Sequence, residues 1–218
     1  MRFLVLTALL LGSSAHAQPS AACKAASTTL KDMRKVEGKY TDPGDFAHPK
    51  VRARLERCTE ISRLILPYVD SAPETVYAAV SVAYNESNFD KERRGKPLVG
   101  AKGEQGMMQV MAKSHCKEPP HGDGKICTHP DKTGVGILAR LLTDRKLLRK
   151  CIRAERKRRK QEKLKPWAPL QLRYACALSR YNGSRYERTT PYGRKVSGYA
   201  MAVRRALRKM ERVPLALN

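Results

Sequence analysis

The chain has 218 residues, with 44 Lys and Arg against 20 Asp and Glu, for a formal charge of +24. Such an excess forecasts attraction to polyanions rather than any particular fold. Aromatic residues make up only 6%, too few to stack along exposed bases, which argues against a specific nucleic-acid binder.

Met1-Arg2, the apolar run "FLVLTALLL" and the small-x-small triplet Ala15-His16-Ala17 have the form of a secretory signal peptide over residues 1–17. A lipid anchor on Cys23 is the rival, but Ser20-Ala21-Ala22 lacks the usual leucine three residues before the cysteine. No later run has the length a spanning helix needs, so an integral membrane protein is not expected. About two hundred residues then remain, enough for one globular domain and an extension. The expectation is an exported protein, periplasmic or secreted, whose available polyanions are wall polymers, surface glycans and lipid headgroups.

Residues 18–70 form the extension, small and polar to about residue 45, with turn chemistry in "TDPGDFAHP". From Val51 to Tyr68 the period places Val51, Leu55, Cys58, Ile61, Leu64 and Ile65 on one helical face, and Pro67 ends the run. Ser71-Ala72-Pro73-Glu74 has the form of a capping box and opens the main domain over 71–212. The helix it starts, "ETVYAAVSVAYNE", is apolar nearly all round and reads as the central buried helix. "GKPLVGAKGEQG" predicts an irregular or hairpin-like segment, after which "MMQVMAKS" resumes helical character. Residues 116–133 read as a loop pinned by cysteines. One long helix is expected over "GVGILARLLTDRKLLRKCIRAERKRRKQEK", with Ile137, Leu138, Leu141, Leu142, Leu147, Leu148 and Ile152 facing the core. Pro166-Trp167 break it, and "LQLRYACALSRY" and "VSGYAMAVRRALRKM" make two more helices. The fold class is all-α, a helical domain with an N-terminal helical extension and room for one small β-hairpin.

The six cysteines follow the leader, an even count that fits disulfides in an oxidising compartment. Nearness suggests Cys23 with Cys58, Cys116 with Cys127, and Cys151 with Cys176. Metal is the alternative, because His115, Cys116, His121, Cys127 and His129 crowd together, but their spacing matches no standard zinc pattern. No metal site and no cofactor are expected. The cationic run from Arg145 to Lys165 is either a solvated helical face or a patch for an acidic polymer.

A glutamate at the end of the most hydrophobic helix is costly as pure structure, since a charge leaving water must be paired or take up its proton. Glu86 is therefore a candidate acid. Glu86-Ser87 closing that helix, then "GEQGMMQV", then "SRYNGS", in this order, resemble the three motifs of the lytic transglycosylases with a goose-lysozyme-like domain. The resemblance spans roughly residues 71–210 and implies a lysozyme-like helical fold. It implies Glu86 as catalytic acid and base, Ser87 as its hydrogen-bonding support, and Gly106, Met108 and Gln109 along a glycan cleft. Tyr181 would sit against the glutamate or the sugar, and Asn182 would hold the last motif. Met107 stands where leucine is usual, and Gly183-Ser184 where Ala-Gly is common.

The implied reaction cleaves the MurNAc–GlcNAc β-1,4 bond of peptidoglycan strands and leaves 1,6-anhydro-MurNAc ends. Glu104, in the glycine-rich segment beside the cleft motif, could assist. As a true second carboxylate it would instead make hydrolysis, a muramidase reaction, plausible. A third possibility is a non-catalytic cationic binder of the wall or of other anionic wall polymers. Asp90 is expected in a solvated turn. Oligomeric state is not legible.

Overall fold

The computed structural model describes residues 20–43, 45–68, 74–90, 92–93, 96–111, 128–183 and 188–212. The leader, residues 71–73 of the capping box, and residues 112–127 with Cys116 and Cys127 lie outside them. Seven α-helices occupy the described residues: α1 (Ala21–Thr29), α2 (Pro49–Arg63), α3 (Thr75–Ser87), α4 (Pro130–Thr143), α5 (Arg145–Gln161), α6 (Pro169–Tyr181) and α7 (Pro191–Arg212). Among the described residues, besides a single bridge between Val99 and Gln105, strand structure consists of short antiparallel pairings of two residues a side. These join β1 (Lys35–Val36) to β2 (Lys39–Tyr40), β3 (Glu92–Arg93) to β4 (Lys96–Pro97), and β5 (Glu104–Gln105) to β6 (Val110–Met111). The fold is all-α, as its periodicity predicts.

α3 is the central element. Thr75 and the run Ala78 to Ala83 are buried, and α1, α2, α4 and α7 all pack against it. Its small residues let neighbouring helices approach closely, and burial of the larger ones around it supplies the driving force, roughly 25 cal/mol per Å² of apolar surface. Tyr174 on α6 is fully buried and its hydroxyl donates to the Glu74 carbonyl at 3.2 Å, tying α6 to the start of α3. Glu74 makes no side-chain cap hydrogen bond; its carboxylate lies 3.9 Å from Arg173 instead.

The N-terminal extension shares this core. Ala25, Leu30, Met33, Val51, Leu55 and Ile61 belong to the same buried cluster as Val80, Val82, Leu138 and Val203. Arg54, itself buried, donates through Nη1 to the carbonyls of Asp32, Met33 and Lys35, clipping the segment after α1 onto α2. Disulfides join Cys23 to Cys58 and Cys151 to Cys176, two of the three expected pairs.

Three expectations are corrected. The long helix after residue 133 is two helices, because the Asp144 carboxylate accepts from the Leu147 amide at 2.8 Å and starts α5 as an N-cap. Pro130 also begins α4 inside the stretch read as loop. "MMQV" does not resume a helix: Gly106 to Gln109 turn and Val110–Met111 pair with β5, while residues 112–114 of that segment lie outside the described residues. Among the described residues no helix is long and apolar enough to cross a membrane.

Candidate functional site

Glu86 occupies the last turn of α3, where the helix emerges from the core. Asn88 ends the helix in the left-handed region with φ of 50°, and Phe89 follows at 62°, so the chain reverses sharply there. Phe89 is fully buried beyond the turn. Asn88 Nδ2 donates to the Asp32 carbonyl at 2.9 Å, and Tyr84 Oη to the Asp32 carboxylate at 3.2 Å. Asp90 is not simply solvated, for Arg57 holds its carboxylate at 3.1 Å. The end of α3 is thus fastened from α2 and from the segment after α1.

Glu86 opens into a cleft of about 240 Å³, walled by Glu104, Gln109, Tyr181 and Asn182 and floored by Gly100 and Ala101. An adjoining space of about 230 Å³ continues past the same four wall residues toward Lys102, Met111 and Ile137. Five of the eight residues singled out in the sequence therefore meet in one place. They come from α3, the β5–β6 hairpin and the end of α6, segments separated in the chain.

The remaining three sit differently. Ser87 donates to the Ala83 carbonyl at 2.9 Å and accepts from the Phe89 amide at 3.1 Å. Its hydroxyl is spent on closing the helix, and it supports Glu86 through the backbone. Met108 is fully buried and meets the site through its main chain, donating to Asp131 Oδ1 at 2.9 Å and accepting from Tyr181 Oη at 2.8 Å. Gly106 turns the hairpin with φ of 74° against Pro130 and Asp131. Gln109 folds its amide back, Nε2 donating to the Gly106 carbonyl at 2.8 Å. Asn182 caps the C-terminus of α6, and its own amide donates to the Leu178 carbonyl.

Burial raises the Glu86 pKa above the usual carboxylate value, and the neighbouring Glu104 charge reinforces the rise. The Tyr192 hydroxyl, the Asn85 side chain and the Lys195 charge oppose it without cancelling it. Tyr192 Oη is buried and completes no hydrogen bond to the protein, and Glu86 is the acceptor whose influence it feels by proximity. Tyr181 is a permanent donor: burial, then the charges of Glu86 and Asp131, push its phenol far above the usual range. Glu104 is half-buried, and its Oε2 accepts from the Lys102 amide at 2.9 Å. The site therefore pairs a carboxyl poised to hold its proton with a second carboxyl in a more polar setting, an arrangement suited to donating a proton to a leaving oxygen.

Several contributors carry no sequence motif. A Cβ on Gly100 would stand 2.4 Å from Glu104 Oε2 and 2.7 Å from Gln109 Oε1, so the absent side chain gives both polar heads their room. A Cβ on Gly134 would stand 2.9 Å from Tyr181 Oη and 2.8 Å from Met108 Cβ. Asp131 and Tyr192 come from the first turns of α4 and α7. The only hint in sequence is that each lies within two residues of a helix-starting proline. Compared with protein-family models, curated proteins and solved structures, the chain matches none.

Proposed function

We propose that this protein is an exported lytic transglycosylase that cleaves the MurNAc–GlcNAc β-1,4 bond of peptidoglycan, with Glu86 as acid and then base. The observation that carries the proposal is the placement of Glu86. It is half-buried at the end of the core helix and facing a cleft with Glu104, Gln109, Tyr181 and Asn182. Glu86, whose protonated form burial favours, gives its proton to the glycosidic oxygen as the C1–O4 bond breaks. The acetamido oxygen of the same MurNAc bonds to C1 and carries the developing charge. The C6 hydroxyl then attacks C1, the acetamido oxygen leaves, and its proton passes to Glu86, restoring the acid and closing the 1,6-anhydro ring. Tyr181, held on the Met108 carbonyl, keeps the α6 wall against the hairpin, and Glu104 beside the acid keeps the Glu86 proton bound until the leaving oxygen takes it.

A hydrolytic muramidase is the second reading, favoured by one observation: Glu104 shares the cleft with Glu86. There it would activate water, as second carboxylates do in most glycosidases. Mass spectrometry of fragments released from purified peptidoglycan separates the two. The transglycosylase leaves 1,6-anhydro ends and tolerates Glu104→Gln in part. Reducing ends, abolished by Glu104→Gln, would replace it with the hydrolase, and binding without release would leave only a cationic wall binder.

A further inference from the structure

Away from the cleft, the C-terminal end of α5 and the segment after it enclose a pocket of about 470 Å³. Its walls are Arg156, Arg159, Lys160 and Lys163, with Trp167 and Leu164 as apolar surface. The Arg159 guanidinium lies 4.2 Å from the centre of the Trp167 ring and donates to the Lys165 carbonyl, so the indole is held in place by a cation that is itself fixed. The helix closes with Leu164 N donating to the Arg159 carbonyl and Lys163 N to the Lys160 carbonyl. That closure puts Lys163 in the left-handed region at φ 52°, a position where glycine is the easy residue. Lys163 nevertheless lines the pocket from that strained backbone position.

Charge in this pocket is only partly compensated. Glu155 of α5 and Glu162 at its C-cap are committed to Arg158, with Glu155 3.7 Å from Arg159 as well. Arg156, Lys160 and Lys163 have no ion pair among the described residues. A concave site with three unpaired cations around a half-buried indole fits a ring-bearing anion. Its apolar face would lie on Trp167 and its acid group among the cations. The hollow, and the partial burial of Trp167, suit a polymer residue entering the pocket better than a side chain projecting into a bilayer. We propose that this pocket binds a carboxylate-bearing sugar of an acidic glycan and anchors the protein on that polymer. The assignment of that glycan to the wall rests on the function proposed above.

Trp167 is the single tryptophan, so its emission reports this pocket alone. Titration of the purified protein with an oligogalacturonate, a carboxylate on every ring, is expected to change the emission saturably. A neutral chitin oligosaccharide of equal length should not. Lys160→Gln with Lys163→Gln should weaken binding about 10-fold or more, in line with loss of charge-assisted hydrogen bonds. Arg145→Gln with Arg149→Gln, which removes equal charge elsewhere on α5, should leave it within about 2-fold, as expected for distant and screened charges. Equal binding of the neutral chain, or equal loss in the control variant, would overturn the site. So would an emission response confined to phosphatidylglycerol vesicles or to oligothymidylate. Glycan binding without release of wall fragments would overturn the proposed reaction and leave this pocket standing; wall cleavage without any emission change would overturn the pocket alone.

Discussion

Glu86 and Glu155 show how differently one helical chain can treat a carboxyl group. Glu86 is held above its ordinary pKa by burial and by Glu104. The folded state then favours the protonated form, so the stability linked to Glu86 is fully present below the ordinary glutamate value. It is lost as pH rises toward the raised one. Cleavage should decline over the same rise, because the acid loses its proton. Tyr192→Phe removes an opposing hydroxyl and is expected to move that decline to higher pH, measurable in a pH–rate profile; a shift to lower pH would contradict the assignment. Glu155, 1% exposed, is the mirror case. Burial pushes its pKa up, but the Arg158 guanidinium and the Thr189 hydroxyl, at 2.7 and 2.6 Å, outweigh it and hold the value below normal. Its stabilisation is present above the ordinary value and lost as pH falls through the lowered one. Glu155→Gln should therefore cost about 2 kcal/mol at neutral pH, less than for a fully buried pair since Arg158 keeps contact with water. Urea denaturation at pH 7 and at progressively lower pH should show that difference shrinking in acid.

At the scale of elements, the site depends on how closely α4 meets the end of α6. Gly134→Ala would push a methyl group onto Tyr181 Oη and Met108 Cβ. Overpacking of this kind costs roughly 1–3 kcal/mol, or about 2–10 °C in Tm for a chain of this size. Activity should fall further than stability explains, because the Tyr181–Met108 bond that seats the hairpin is the first contact displaced. A variant with native Tm and native rate would remove α4 from the account.

The same elements show what was legible in sequence. α2, α3 and α6 follow from their apolar period, and Glu86, Gln109 and Tyr181 from short motifs at chain positions that the fold brings together. Asp144 was read as an interior residue of one helix, since periodicity continues across it and only its bond to the Leu147 amide marks a boundary. "MMQV" was read as helix because methionines suit both a helix and a buried hairpin. Tyr192, Asp131 and the spaces at Gly100 and Gly134 matter through tertiary approach, which no local pattern encodes.

For the whole molecule, the two disulfides among the described residues join α1 to α2 and α5 to α6. Cys23–Cys58 closes a separation of 35 residues and Cys151–Cys176 one of 25. By loop-closure entropy each is expected to contribute about 3–4 kcal/mol. Reduction should lower Tm by well over about 10 °C; an unchanged melt under reductant would show that the core alone suffices. The first disulfide also ties α1 to α2 within the extension, so its loss should loosen the Asp32 contacts that fasten the end of α3.

The most direct test of the central claim is the rate at which soluble glycan fragments leave purified peptidoglycan, compared between the native protein and a folded Glu86→Gln variant. Native protein is expected to release fragments with 1,6-anhydro ends, and the variant to be slower by at least about 100-fold, the usual contribution of a general acid. Equal release by both proteins would take Glu86 out of the chemistry and contradict the account.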